Sequence, residues 1–144
     1  MTAPGFGSVI RYAYLWADEA ERGQPEGLKD RPALVIAVAV VDTDGRSTIM
    51  VLAVTHSPPV DPFDAVELPR EVKRQLGLDA SPSWVVTTEA NAFRWPGPDI
   101  RNISDREPTT AIYGRIPAPL LSRIARSYLD NRKSGRGRIV HRTD

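Results

Sequence analysis

Two long apolar runs with a turn between them constrain the fold of this 144-residue chain more than any other feature. Residues 32–41 ("PALVIAVAVV") and 48–55 ("TIMVLAVT") are rich in β-branched side chains and apolar on both faces, which is typical of strands in the middle of a sheet. The "DTDG" stretch at 42–45 holds residue types that favour a tight turn. The sequence therefore predicts a central antiparallel hairpin.

Shorter predicted elements flank this hairpin. A short helix is predicted between Pro69 and Gly77, where apolar residues recur every four positions. A longer helix is predicted at 117–133, whose apolar residues form one stripe opposite the charged ones. Further runs of strand length, with β-branched or aromatic residues, occur at 8–15, 65–68, 83–90 and 111–116.

The remaining segments are predicted to be irregular. Residues 17–30 are polar and interrupted by glycine and proline, so we expect a long exposed loop, and 91–102 is expected to be irregular as well. The basic residues at 132–144 are predicted to form a flexible tail. Residues 1–131 are then one mainly β (α+β) domain, a small, partly open antiparallel barrel with a short helix and a C-terminal helix.

Composition excludes several classes of function. The chain has no cysteine, which removes disulfides, thiolate metal sites and cysteine nucleophiles and suits a reducing cytoplasm. Two histidines are too few for a histidine-based metal site, so neither a metal nor another cofactor is expected. The common nucleotide-binding and hydrolase motifs are missing. No signal sequence or membrane-spanning run is visible, which predicts a cytoplasmic protein without a membrane partner.

The predicted hairpin brings together residues suited to bind an anion. Arg31 stands directly before the first strand and Thr55 ends the second, so they are expected side by side at the edge away from the turn. Lys29 precedes this arginine, and His56 and Ser57 follow Thr55. A guanidinium beside hydroxyl and imidazole groups predicts a phosphate site. A simpler interpretation stays open, in which each of these residues is an ordinary strand-end or surface residue.

Several stretches, in this order and spacing, resemble the MazF/PemK (Kid) family of toxins from bacterial toxin–antitoxin systems. They are "GSVIRYAYLW", "KDRPALVI", "MVLAVTHSPP", "VELPREV", "SWVVTTEANAF" and "YGRIPAPLLSRI". The similarity extends over roughly residues 5–129, and "RPALVI" is its sharpest element. The resemblance implies an SH3-like barrel of the CcdB/MazF type, a homodimer, and a growth-inhibiting endoribonuclease that is neutralised by a cognate antitoxin. Such toxins cleave single-stranded RNA without a metal ion, through attack by the 2′-hydroxyl of the RNA.

The resemblance also assigns roles to residues. The arginine of the RP motif and the hydroxyl residue ending the next strand line the active site in this family, and here they are Arg31 and Thr55. Arg94 and Trp95 are the predicted RNA-binding residues, since unstacked bases are held by arginines and aromatic rings. With two prolines nearby, Trp95 has a second interpretation as a packed anchor of its loop. The further candidates for catalysis or substrate binding are His56, Ser57, Lys29 and Glu89.

Two departures from the family pattern favour a second hypothesis. The stretch at 17–27 carries four carboxylates, and Asn91 and Ala92 follow Glu89 where the family commonly has an arginine. A catalytically inactive binding module of the same fold, such as a CcdB-like inhibitor of a protein target or a regulatory protein, is therefore the alternative to the nuclease.

Overall fold

A computed structural model of the chain describes residues 3–24, 26–27, 29–39 and 43–142. These residues form an open, mainly antiparallel β-sheet with helices, so the mainly β class is confirmed. The strands are β1 Ser8–Tyr12, β2 Arg31–Val38, β3 Ser47–Thr55, β4 Ala65–Glu67, β5 Trp84–Val86, β6 Glu89–Trp95, β7 Ile112–Arg115 and β8 Arg138–His141. The helices are α1 Ala17–Glu21, α2 Arg70–Leu76 and α3 Ala118–Lys133. No helix in the described part of the chain is long and apolar enough to cross a membrane.

The predicted central hairpin is confirmed. β2 and β3 pair antiparallel with Ala33 opposite Ala53, and a bulge interrupts the register between Val35 and Ala37. β1 and then β7 continue the sheet beyond β2, while β3 carries both β5 and β6 on its other edge. β2 is shorter than predicted, and residues 40–42 of the predicted strand and turn lie outside the described residues.

Both faces of the central strands are buried, as their composition predicts. Leu34 and Leu52 belong to a core cluster that also contains residues of α2 and α3, such as Leu76 and Ile124. Ala33 and its neighbours on the opposite face belong to a second cluster that contains several aromatic rings. Because side chains alternate along a strand, one hairpin supplies both cores.

The two predicted helices are confirmed with small changes at their ends. α2 begins after Pro69 and ends at Gly77, whose φ of 74° lies in the left-handed region that glycine adopts without strain. α3 begins after Pro117 and ends at Lys133. Ile124 and Tyr128, from its apolar stripe, lie in the first core cluster.

Parts of two segments predicted to be irregular are regular. Residues 17–21 form α1, since the backbone N–H of Ala17 donates to Glu89 Oε1 at 2.8 Å and that of Trp16 donates to Glu19 Oε1 at 3.0 Å. The predicted strand at 83–90 divides into β5 and β6, and β6 extends to Trp95. The prediction missed β6 because its pairing with the start of β3 joins residues far apart in sequence.

The basic end of the chain also differs from the prediction of a loose tail. Residues Arg138–His141 form β8, which pairs in parallel with β6, with Glu89 opposite Arg138. Backbone hydrogen bonds to β6 therefore hold a segment beyond residue 131, the predicted domain boundary.

Candidate functional site

A cleft of about 380 Å³ opens where β2 begins and β3 ends. The register that sets Ala33 opposite Ala53 brings Arg31 beside Thr55 two residues further on, as the predicted hairpin requires. Four of the predicted site residues line this cleft, namely Lys29, Arg31, Thr55 and His56. Residues that the sequence did not indicate line it too, among them Lys73, Asp79, Ser83 and Tyr113.

The Arg31 guanidinium is held by an aromatic ring rather than by an acid. Its Cζ lies 5.0 Å from the centroid of the Trp16 ring, and it makes no hydrogen bond or ion pair with any residue in the described part of the chain. Burial lowers the pKa of Arg31, and the nearby Glu19 and Tyr14 oppose that shift. An arginine stays charged under such conditions, so Arg31 brings an unpaired positive charge to the lining of the cleft.

The neighbouring Asp30 does not neutralise this arginine. Asp30 also lines the cleft, but its carboxylate is paired elsewhere, at 3.5 Å from Arg11 and 3.6 Å from Arg101. Lys29 is exposed and has no ion pair among the described residues. The mouth of the cleft therefore presents two cations without a carboxylate bound to either.

The hydroxyl groups of Thr55, the last residue of β3, and of Ser57 lie in different places. Thr55 is partly exposed at the cleft, and its Oγ1 accepts a hydrogen bond from the backbone N–H of Ser57 at 3.2 Å. The Thr55 O–H can still donate to a ligand, since only an acceptor site of the oxygen is used. Ser57 is exposed and does not line the cleft.

His56 is bound to the loop that leads into β5. Its Nδ1 lies 2.9 Å from the carbonyl oxygen of Pro82 and 3.1 Å from Ser83 Oγ. Its Nε2 lies 2.9 Å from Asp79 Oδ2. Both ring nitrogens therefore have partners within the protein. The geometry gives His56 a positioning role.

Lys73 is the buried centre of this network. Its side chain is 5% exposed, and Nζ donates to Asp79 Oδ1 at 2.9 Å, to Ser83 Oγ at 2.7 Å and to the carbonyl oxygen of Ser81. The hydrogen bond from Lys73 lowers the pKa of Asp79, and the charges of Lys73 and His56 act in the same direction. A lysine on a short helix gives no sequence signal of burial, so sequence reasoning missed this network.

Tyr113 of β7 lines the cleft. The ring is half-buried, and the Cζ of Arg106 lies 5.5 Å from its centroid. Burial raises the pKa of the Tyr113 phenol, and the charges of Arg11 and Arg106 oppose that shift. Nothing in the local sequence "AIYGRI" distinguishes this tyrosine from an ordinary strand residue.

Besides Ser57, three predicted site residues lie outside the cleft, namely Glu89, Arg94 and Trp95. Glu89 Oε1 accepts from the N–H of Ala17 and from Tyr14 Oη at 3.3 Å, and burial raises its pKa. Arg94 forms an ion pair with Asp44 at 2.7 Å and stands opposite Thr48, near the start of β3. Seven residues of strand, roughly 23 Å, separate that point from the cleft end of β3.

Trp95 does not provide the exposed stacking surface that was predicted. Its side chain is only 3% exposed and belongs to the second core cluster. The pairing of β6 with β3 sets Trp95 opposite Ser47 and its ring in that core. A nucleobase therefore has no open face of this ring to contact.

The cleft combines free cations, a hydroxyl and an aromatic ring, which suits an anionic ligand with a flat group attached. No group of three or more His, Asp or Glu side chains in the described ranges could hold a metal ion. The chain matches no protein-family model, and a search of curated proteins finds no significant match.

Proposed function

We propose that this protein is an endoribonuclease that cleaves single-stranded RNA without a metal ion, as do the MazF/PemK toxins that its motifs resemble. The observation that carries the proposal is the position of Arg31, which lines a cleft beside Thr55 and has no ion pair with an acidic residue among the described residues. The open, mainly antiparallel sheet supports a variant of the SH3-like barrel for this chain.

In the proposed reaction, the 2′-hydroxyl oxygen of the RNA attacks the adjacent phosphorus. The bond from phosphorus to the 5′-oxygen breaks, which leaves a 2′,3′-cyclic phosphate and a 5′-hydroxyl. The attacking hydroxyl loses its proton to water, and the leaving oxygen takes one from water. Arg31 binds the non-bridging oxygens and stabilises the charge of the phosphorane, while Thr55 donates a hydrogen bond to the same phosphate.

The proposal extends to the biological role that the resemblance implies. The protein acts in the cytoplasm as a homodimeric growth inhibitor, and a cognate antitoxin neutralises it by laying a disordered segment across the cleft. The free charges of Lys29 and Arg31 support such a cover, since an acidic segment would neutralise them.

The direct test is cleavage of a long single-stranded RNA in the presence of EDTA. Wild-type protein is expected to cut the RNA into fragments with cyclic phosphate and 5′-hydroxyl ends. Arg31→Ala is expected to cut it at least a hundredfold more slowly, because a charged donor to the transition state is removed. Arg123→Ala removes an exposed arginine of α3 outside the cleft and serves as the matched control.

Intact RNA after incubation with wild-type protein would contradict the nuclease. That outcome would favour the second candidate, a binding module of the CcdB type. The observation that favours this candidate is that protein groups bind both nitrogens of His56, and that Lys73 and His56 bind the carboxylate of Asp79. If wild type cleaves the RNA and Arg31→Ala cleaves it at the same rate, the cleft has no part in the mechanism.

A further inference from the structure

Tyr113 is an aromatic side chain in the cleft, and the proposed cleavage reaction gives it no role. Its ring lines the same cavity as Arg31 and Thr55, on the wall formed by β7. The phenol oxygen has no hydrogen-bond partner in the described part of the chain, although the ring is half-buried. This oxygen is not one of the buried side-chain atoms that lack a partner, so it is accessible to water or to a ligand.

The ring is held in place before any ligand arrives. Arg106 lies over it, and this arginine donates to the backbone carbonyls of Ile112 at 3.4 Å, Tyr113 at 3.1 Å and Leu76 at 3.0 Å. Gly114 follows with a φ of 151°, and a Cβ there would lie 3.1 Å from Leu76 Cδ2. These contacts fix β7 against the end of α2, so the ring has a rigid support.

A fixed aromatic ring that lines the same cleft as an unpaired arginine suits single-stranded nucleic acid, because the cation can hold a phosphate and the ring can stack on the attached base. The cleft volume of about 380 Å³ lies within the range of pockets that hold small organic groups. We propose that Tyr113 stacks on the nucleobase next to the phosphate that Arg31 holds. This inference rests on the proposed function, since it takes RNA as the ligand.

The proposal assigns to Tyr113 a task that sequence reasoning gave to Trp95. The two residues differ in the one property that stacking requires, which is access to the ring. Trp95 is 3% exposed and belongs to the core, whereas Tyr113 lines a cavity that is open to solvent. The proposed RNA-binding surface is therefore the cleft, and not the region near the start of β3.

The test measures the binding of a probe that the protein cannot cleave. The probe is a fluorescein-labelled 12-nucleotide single-stranded RNA of mixed sequence with a 2′-O-methyl group on every ribose, and the dissociation constant is measured by fluorescence anisotropy. Tyr113→Leu is expected to weaken binding on the order of tenfold, since it removes a base–aromatic contact. Tyr113→Phe keeps the ring and is expected to lose no more than about twofold.

Two controls separate stacking from a structural effect. Phe63→Leu removes a ring that is 74% exposed outside the cleft, and its binding is expected to equal that of wild type. A 12-nucleotide probe with abasic riboses presents phosphates alone, and wild type and Tyr113→Leu are expected to bind it equally. A loss of affinity for the abasic probe in Tyr113→Leu would assign the tyrosine to the structure of the cleft and overturn the proposal.

The outcomes also distinguish this inference from the nuclease itself. If the protein cuts no RNA but its binding of the probe depends on Tyr113, the proposed stacking by Tyr113 stands and the proposed nuclease activity is rejected. If wild type cleaves RNA and Tyr113→Leu binds the probe as tightly as wild type, only the proposed stacking by Tyr113 is rejected. A wild-type protein that does not bind the base-containing probe would overturn the inference and favour a protein ligand for this cleft.

Discussion

Arg142 is a charged residue whose side chain is only 4% exposed, although it lies two residues from the end of the chain. Its guanidinium lies 2.8 Å from the carboxylate of Asp99 and donates to the carbonyl oxygen of Ala13 at 2.9 Å and to Tyr12 Oη at 3.1 Å. Burial raises the pKa of Tyr12, and the charge of Arg142 opposes that shift. A buried cation with this many partners is costly to remove, because its partners are left in the core unpaired.

Arg142→Ala is therefore expected to lower the free energy of unfolding by about 3–5 kcal/mol. Urea denaturation followed by circular dichroism measures the difference. Arg126→Ala, which removes an exposed arginine of α3, is the control and is expected to change stability by less than about 0.5 kcal/mol. A loss below about 1 kcal/mol for Arg142→Ala would contradict the buried ion pair.

At the scale of elements, the loop from α2 to β5 forms one wall of the cleft. Lys73 of α2 and His56 after β3 both contact Asp79 in this loop, and both contact Ser83 as well. The wall therefore depends on a buried lysine rather than on regular secondary structure. Since Asp79 is 58% exposed, solvent weakens its share of the network.

This network predicts a dependence of stability on pH. The hydrogen bond from Lys73 lowers the native pKa of Asp79, so its contribution is fully present above the ordinary carboxyl pKa of about 3.9. The contribution is lost as pH falls through the lowered native pKa. Lys73→Met is expected to cost about 1–3 kcal/mol at pH 6, and to lose less further stability than wild type between pH 5 and pH 3.

Urea denaturation at pH 6, 5 and 3 measures this difference. The matched control is Arg74→Met, which removes the next residue of α2, an exposed arginine paired with Glu71. The control is expected to follow the wild-type pH dependence. If Lys73→Met and wild type lose the same free energy of unfolding between pH 5 and pH 3, the pH dependence does not come from the contact between Asp79 and Lys73.

At the scale of the whole molecule, the local patterns predicted the centre of the fold well. The hairpin of β2 and β3 followed from two apolar runs and a turn, and the neighbourhood of Arg31 and Thr55 followed from antiparallel pairing alone. α2 and α3 followed from apolar periodicity with proline before each helix. These features depend on residues that are close in sequence or joined by one short turn.

The parts that the sequence did not predict depend on contacts between distant segments. β8 pairs with β6 across more than 40 residues, and no local pattern of "RIVH" selects that partner. Tyr113 reaches the cleft because β7 pairs with β1 and packs beside α2. Trp95 is buried because β6 pairs with β3, whereas its neighbouring prolines indicated a loop. Tertiary pairing decided each of these positions.

The most direct measurement is the single-turnover rate of cleavage of one oligonucleotide that contains a mapped cleavage site. Wild type is expected to cut it in EDTA and to leave it intact when the scissile nucleotide carries a 2′-deoxyribose. Arg31→Ala is expected to reduce the rate on the order of 10²–10³-fold. A rate for Arg31→Ala within threefold of wild type, or cleavage of the 2′-deoxy oligonucleotide, would contradict an Arg31-centred nuclease that uses the 2′-hydroxyl of its substrate.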